Sequence, residues 1–318
     1  MGTLNGSLRR NVSMAVLAGA SVTAVVLVAQ QPAAPPPLVK ENATVKVSEH
    51  VYVIPDGRVG GVPNVGIIVG NKATLVVDTG LGPRNGQTVL REVAKVSKNT
   101  ELYLVTTHFH PEHTLGAAAF PATAKYISSE IQEKDVAEFG RQMRDTFSQT
   151  PVRAELLKDV EYRRADIVFN REKDLDLGGV RVRMFALGPT HTRGDTGFFV
   201  EGDAVLFSGD VVMNGAFLAF NMPYGSVRTW LTSLDRLEAL HPRTIVPSHG
   251  EMGDASLIGR DRDFLRAVQT RIRELKSQNR SADQAAELVR SELQAKYPDW
   301  TAPNRILDAA KAAYAESP

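Results

Sequence analysis

Between residues 44 and 78 the apolar side chains come in short alternating runs, at 44–47, 51–54, 65–69 and 74–77, separated by Gly, Pro and Asn. Successive strand side chains point to opposite faces, so this pattern predicts an antiparallel meander. The period then changes. Over 87–96, Val89, Leu90, Val93 and Val96 share one face at helical spacing, and the apolar run 102–106 predicts the next strand. In the second half, strands are predicted at 181–185, 197–200, 204–207 and 244–246. Trp230, Leu231, Leu234, Leu237 and Leu240 make the stripe of a helix over 227–240, just before the last strand. Strands and helices in this order predict an α/β fold in two βα halves.

Two stretches depart from the pattern. Residues 128–164 carry an amphipathic helix (Val136, Phe139, Met143, Phe147) with Arg141, Arg144 and Arg153 nearby. It reads as an insertion between the two halves, either a solvated basic face or a wall over a cleft. Residues 259–318 read as a charged helical extension, with a capping box at Ser281-Ala282-Asp283-Gln284. Tyr297, Trp300 and Tyr314 predict that this tail docks on the body or on a second subunit. The domain organisation is then 1–34 as a leader and proline-rich linker, 40–258 as the main domain, and 259–318 as the extension.

Composition narrows the function. With 318 residues, 43% hydrophobic and 23% charged, the chain can bury a substantial core. A formal net charge of +1 gives no field for nucleic acid, and the absence of cysteine excludes disulfides, thiolate ligands and a cysteine nucleophile. At the N-terminus Arg9-Arg10 precede an uncharged stretch, 11–29, and then Gln30-Gln31-Pro32-Ala33-Ala34-Pro35-Pro36-Pro37. That predicts an export signal, hence a periplasmic or secreted protein. The alternative is an uncleaved anchor, because about 18 apolar residues is the lower edge of a membrane span. Membrane contact is expected only there; the partner expected is a small-molecule substrate, and the sequence leaves the oligomeric state open.

The candidate chemistry lies in Thr107-His108-Phe109-His110-Pro111-Glu112-His113, which follows a predicted strand. On an extended backbone His108 and His110 reach one point, and a chain turning into a helix carries Glu112 and His113 to a neighbouring one. Imidazole and carboxylate suit zinc, with iron or manganese as less exclusive choices. Two more histidines sit in loop contexts: His191 in Gly188-Pro189-Thr190-His191-Thr192-Arg193-Gly194-Asp195, and His249 in Val246-Pro247-Ser248-His249-Gly250.

With Thr74-Leu75-Val76-Val77-Asp78-Thr79-Gly80 and Phe207-Ser208-Gly209-Asp210, these make five ordered motifs over most of the chain. In that order they resemble the metallo-β-lactamase-fold superfamily of binuclear metallohydrolases. The resemblance implies a four-layer αβ/βα sandwich. It also implies one metal on His108, His110 and His191, a second on Glu112, His113 and His249, and Asp210 bridging them. Two zinc ions and a hydroxide held by them would then attack a carbonyl. Glu112 stands where the family usually has Asp; the extra methylene moves the carboxylate by about 1.5 Å and affects the second metal position. The family gives that Asp a proton-transfer role, so Glu112 and Asp210 are the candidate catalytic groups.

Asp78 and Asp195 are candidates to orient the ligands, or plain turn caps. Arg193, Asn214 and Asn221 are candidate substrate contacts, or ordinary loop polarity. Asp210 resembles thioesterases and lactonases of the family more than its β-lactamases, which generally carry Cys or Ser there. Ester, thioester, lactone and β-lactam bonds remain open as substrates. The rival readings are a mononuclear-iron sulfur oxidoreductase of the same fold and a non-catalytic periplasmic metal-binding protein.

Overall fold

A computed structural model describes residues 1–2, 35–220 and 224–318. The chain divides into residues 1–34, of which only Met1 and Gly2 are described, and residues 35–318, which carry the elements described below. The leader reading and Asn221 lie outside the described residues.

The meander forms as its alternation predicts. Strands β1 (Val45–Lys46), β2 (Val51–Ile54), β3 (Val65–Val69) and β4 (Ala73–Val77) pair antiparallel in sequence order. Helix α1 (Pro83–Val96) then crosses to β5 (Glu101–Val105), parallel to β4. It begins at Pro83 and not at residue 87, because a proline in the first turn loses no hydrogen bond there. A helical turn, α2 (Pro111–Thr114), a 3-10 turn (Leu115–Ala119), β6 (Lys125–Ser129), α3 (Glu130–Phe147), α4 (Pro151–Leu156) and β7 (Ile167–Phe169) come next.

β6 lies parallel to β5 and β7 parallel to β6, which corrects the reading of residues 128–164 as an insertion between the halves. Helices α3 and α4 are the crossover between two neighbouring strands of the first sheet, a connection that parallel pairing forces to be long.

The second sheet takes β8 (Glu172–Asp176), β9 (Arg181–Ala186), β10 (Thr196–Val200), β11 (Val205–Gly209) and β12 (Thr244–Pro247) in the order β12-β11-β10-β9-β8. Helix α5 (Val227–Glu238) crosses from β11 to the parallel β12. The tail forms α6 (Ser256–Ser277), α7 (Ala282–Lys296) and α8 (Arg305–Glu316), and the Ser281–Gln284 capping box is made at the start of α7.

Period-two alternation assigns the layers. Leu75, Val77 and Val105 of the first sheet pack with Val205, Phe207 and Val246 of the second between the sheets. Val76 and Leu104 turn the other way, onto Val89 and Val93 of α1. Leu206 and Ile245 likewise face Trp230 and Leu234 of α5 and Phe264 of α6. This is the four-layer αβ/βα sandwich with a C-terminal helical extension. The tail docks on the body itself, where Trp300 packs on Phe217 with ring centroids 5.2 Å apart and Thr301 bridges to Ala216.

Close approach of the sheets depends on Gly66 in β3. A Cβ there would stand 2.4 Å from Phe207 Cε1, inside the inter-sheet core. Gly66→Ala should therefore lower unfolding stability by about 1–3 kcal/mol through overpacking, measured as a lower denaturant midpoint at unchanged slope.

Candidate metal centre

The loops that carry the chemistry follow the C-terminal ends of β4, β5, β9, β11 and β12, so the fold gathers them at one edge of the sandwich. Asp78 directly follows β4 and is fully buried. His108 follows β5, and His110 caps α2, whose single turn rotates Glu112 and His113 inward. Thr79 N and Oγ1 both donate to His113 O, at 2.9 and 2.8 Å, fixing that turn against the end of β4. At the end of β11, Gly209 adopts φ 61°, a conformation that favours glycine, and the register of β11 against β12 shifts there before Asp210.

Three ring nitrogens converge. His108 Nε2 lies 3.0 Å from His110 Nδ1, and His191 Nε2 lies 3.3 Å from the same atom. Bonds of 2.0–2.1 Å from a tetrahedral zinc would space such nitrogens about 3.3 Å apart. Glu112, His113 and His249 form a second group with ligand atoms within 4.8 Å of one another. Asp210 joins the two: its Oδ2 is 3.4 Å from His191 Nε2, and its Oδ1 is 3.9 Å from His249 Nε2.

The hydrogen bonds behind these rings set their tautomers. His191 Nδ1 donates to Ala219 O at 2.7 Å and His249 Nδ1 to Val62 O at 3.0 Å. A carbonyl only accepts, so Nδ1 carries a hydrogen in both rings and Nε2 is the atom turned toward the cluster. His113 Nδ1 donates to Asp78 Oδ2 at 2.9 Å, and Asp78 Oδ1 accepts from Thr107 N at 2.7 Å. Asp78 thus orients both a candidate ligand and the loop that carries it. Asp195, buried, accepts from Thr190 Oγ1, from Thr192 N at 2.8 Å and from Thr192 Oγ1 at 2.7 Å, and so shapes the His191 loop.

The donor set fits a pair of cations. Among the described residues, Glu112 Oε2, His113 Nε2 and Asp210 Oδ1 are buried without a hydrogen-bond partner. Each buried polar atom left so costs about 1–3 kcal/mol, which a bound cation offsets. Burial, and then the neighbouring histidines, push His108 and His110 well below their ordinary value, so both present neutral imidazoles. Burial opposes charge on Asp210, but His249, His191, His113 and Arg305 outweigh it and hold the carboxyl below its usual range. Burial also opposes charge on His113, yet Asp78, Glu112 and Asp210 raise it to about 9.

The remaining candidates divide. Asn214 lines the cleft above the cluster and donates Nδ2 to Glu251 O at 2.8 Å. Arg193 does not line it: its guanidinium bonds Asp135 at 2.5 Å and Glu138 at 2.6 Å and stacks near Phe139, tying the His191 loop to α3. Those two carboxylates engage Nε and Nη2 and hold the guanidinium against α3. Sequence reasoning missed Asp56 and Asn64, which grip the His249 loop through Gly250 N at 2.8 Å and through Pro247 O and Gly250 O at 2.8 Å each. It also missed Thr301 and Arg305 of the tail, which line the cleft. Both sets act from loops and helix ends remote in sequence, and nothing local marks them.

A profile described as the Metallo-beta-lactamase superfamily matches residues 58–249. The chain belongs to this superfamily, and its fold and histidine clusters are those of a metallohydrolase. Acyl-coenzyme A thioesterase MBLAC2 of Homo sapiens is 25% identical over 59% of this chain and 71% of its own length. The solved Metallo-beta-lactamase from Pontibacter korlensis superposes with a TM-score of 0.57 at 19% identity, covering 69% of this chain and 96% of that one. The sec-alkylsulfatase Pisa1 from Pseudomonas sp. gives 0.64 at 13%, covering 86% and 49%. These two likenesses concern the fold.

Asp78→Ala removes the acceptor behind His113 and should weaken metal binding at the Glu112, His113 and His249 cluster by about 10–100-fold, measured by competition with a chromophoric chelator. Uptake at that cluster must also displace the His113 proton. A pKa raised to about 9 keeps the proton on in the metal-free chain at neutral pH, so the measured affinity should climb with pH up to about 9 and then level off.

Proposed function

We propose that the chain is an exported hydrolase holding two divalent ions, zinc by preference and iron or manganese as substitutes, that cleaves an ester, thioester, lactone or β-lactam bond. The observation that carries the reading is the pairing of two ligand groups about one carboxylate, with the two oxygens of Asp210 each directed at a different group. Ions held there supply Lewis acidity and lower the pKa of a water towards about 7, which removes any need for a serine or cysteine nucleophile.

The chain's own residues do the rest. His191 and His249, braced by Ala219 O and Val62 O, keep Nε2 turned inward. Asp78 fixes His113 against rotation. Glu112, buried beside His113 with Oε2 unpaired, is placed to carry a proton to the leaving atom. Met143, Phe147 and Phe220 give the cleft an apolar wall that holds a substrate and limits water. A thioester is favoured by the name of the curated relative, an acyl-coenzyme A thioesterase, and by Asp210 standing where β-lactamases of this fold generally carry Cys or Ser. Export is supported by Arg9-Arg10, the uncharged run 11–29 and the proline-rich stretch after it. Among the described residues no helix is long and apolar enough to cross a membrane.

The test is turnover of a panel of thioesters, lactones and cephalosporins by the purified chain, before and after chelation. Hydrolysis of at least one class, lost with the metal and restored by zinc, is the expected result; iron content with oxygen uptake, or metal without turnover, would contradict it. Glu112→Ala should empty the second position and lower kcat by about tenfold or more, a barrier change of about 1.4 kcal/mol. Glu112→Asp should keep both metals and raise or broaden activity. Wild-type stoichiometry and rate in Glu112→Ala would make Glu112 a bystander.

A further inference from the structure

The cleft over the histidines encloses about 780 Å³ and presents three arginines, Arg58, Arg153 and Arg305. Arg58 is spent on a salt bridge to Glu251 at the rim. The other two have no such partner: among the described residues no carboxylate lies within ion-pair distance of Arg153 or Arg305. Asp299 and Asp308 also line the cleft, but they are exposed to water that screens them.

Both guanidinium groups are held in place by other means. Arg153 lies over the Phe147 ring at 5.3 Å and against Gly61, where an added Cβ would be 3.0 Å from its Nη2. Phe147 in turn faces the His110 ring at 6.2 Å, so one aromatic ring separates Arg153 from a candidate metal ligand. Arg305, half-buried at the start of α8, donates one Nη1 hydrogen bond to Phe217 O at 3.1 Å. Its charge reaches Asp210, where it is one of the influences that hold that carboxyl ionised. A guanidinium carries five N–H donors, and a planar fork kept beside a cleft with one carbonyl bond is matched to a ligand oxyanion.

We propose that Arg153 and Arg305 form an anion subsite in this cleft, and that the substrate is an amphiphile with an apolar stem and a carboxylate, sulfate or phosphate remote from the scissile bond. The stem lies along Met143, Phe147 and Phe220, the oxyanion on the two arginines, and the reacting carbonyl at the histidine cluster. The subsite deepens the hydrolase reading and rests on it for the reacting end of the molecule. Arg305 lies beyond the 58–249 superfamily match, so one half of the subsite comes from the C-terminal helices.

Binding of two fluorescent probes by the full chain, with and without zinc, tests the subsite independently of catalysis. The probes are 1-anilinonaphthalene-8-sulfonate and the uncharged N-phenyl-1-naphthylamine. The sulfonate should bind more tightly, and Arg153→Ala, Arg305→Ala and the longer Arg305→Gln should each weaken it about tenfold, about 1.4 kcal/mol, leaving the neutral probe unchanged. Equal binding of the two probes by the wild type, or sulfonate binding unmoved in folded variants, would overturn the proposal.

A kinetic arm pairs the 4-nitrophenyl monoester of glutaric acid with 4-nitrophenyl butyrate. Arg153→Ala should raise KM for the charged ester and leave that for the neutral ester in place, whereas equal losses on both esters would contradict a selective subsite. Failure to hydrolyse either ester, with the probe result intact, would count against the hydrolase reading and leave the subsite standing.

Discussion

One buried carboxylate, Asp78, holds the candidate metal centre together. Its Oδ1 takes the Thr107 amide at 2.7 Å, and its Oδ2 takes His113 Nδ1 at 2.9 Å and Thr107 Oγ1 at 3.0 Å, with Ser248 Oγ at 3.4 Å. Those partners stand after β5, in α2 and after β12, while Asp78 itself ends β4. The ends of three strands from two sheets therefore meet on one fully buried carboxyl group. A buried anion is tolerated when its lone pairs are filled by donors of this kind, and the same bonds fix the angle at which His113 faces the cluster. Asp78 also adopts φ 64°, a backbone position that few residues other than Gly, Asn and Asp take readily.

Above that anchor the centre is arranged about a second anion. Asp210 would be expensive in a buried site, yet it is held ionised by the histidines around it and by Arg305. Those histidines are in turn braced from behind by Val62 O, Ala219 O and Asp78, so neither group can swing away to solvate the other. Three buried atoms in the cluster without hydrogen-bond partners, two of them carboxylate oxygens, are the mark of a site whose partners are cations. The elements that brace the histidines also shape the cleft. Loop residues near Val62, the stretch leading to Ala219, and α3 serve both purposes.

Much of this was legible in the sequence, for reasons that can be traced. β2 and β3 were bounded correctly because their alternation is clean and their flanks are Gly, Pro and Asn. β8 was missed because it is a polar edge strand with no apolar face to betray it, and β6 because Lys125, Ser128 and Ser129 dilute a short buried run. Without β6 and β7, the α3 and α4 crossover could only look like an insertion. All seven candidate ligands were legible because metal chemistry needs His and carboxylate at fixed points after strands. The Asp135 and Glu138 partners of Arg193 were invisible because they come from a helix distant in sequence. The part played by Arg305 was invisible for the same reason, since nothing local links α8 to the His-rich loop.

The central claim is that two cations share Asp210, one among His108, His110 and His191 and the other among Glu112, His113 and His249. Anomalous diffraction at the zinc edge from crystals of the zinc-loaded chain tests it most directly. Two peaks about 3.5–4 Å apart, on either side of the Asp210 carboxylate, are the predicted result. A single peak within the three-histidine group, with Glu112 turned away and the second position vacant at saturating zinc, would contradict it.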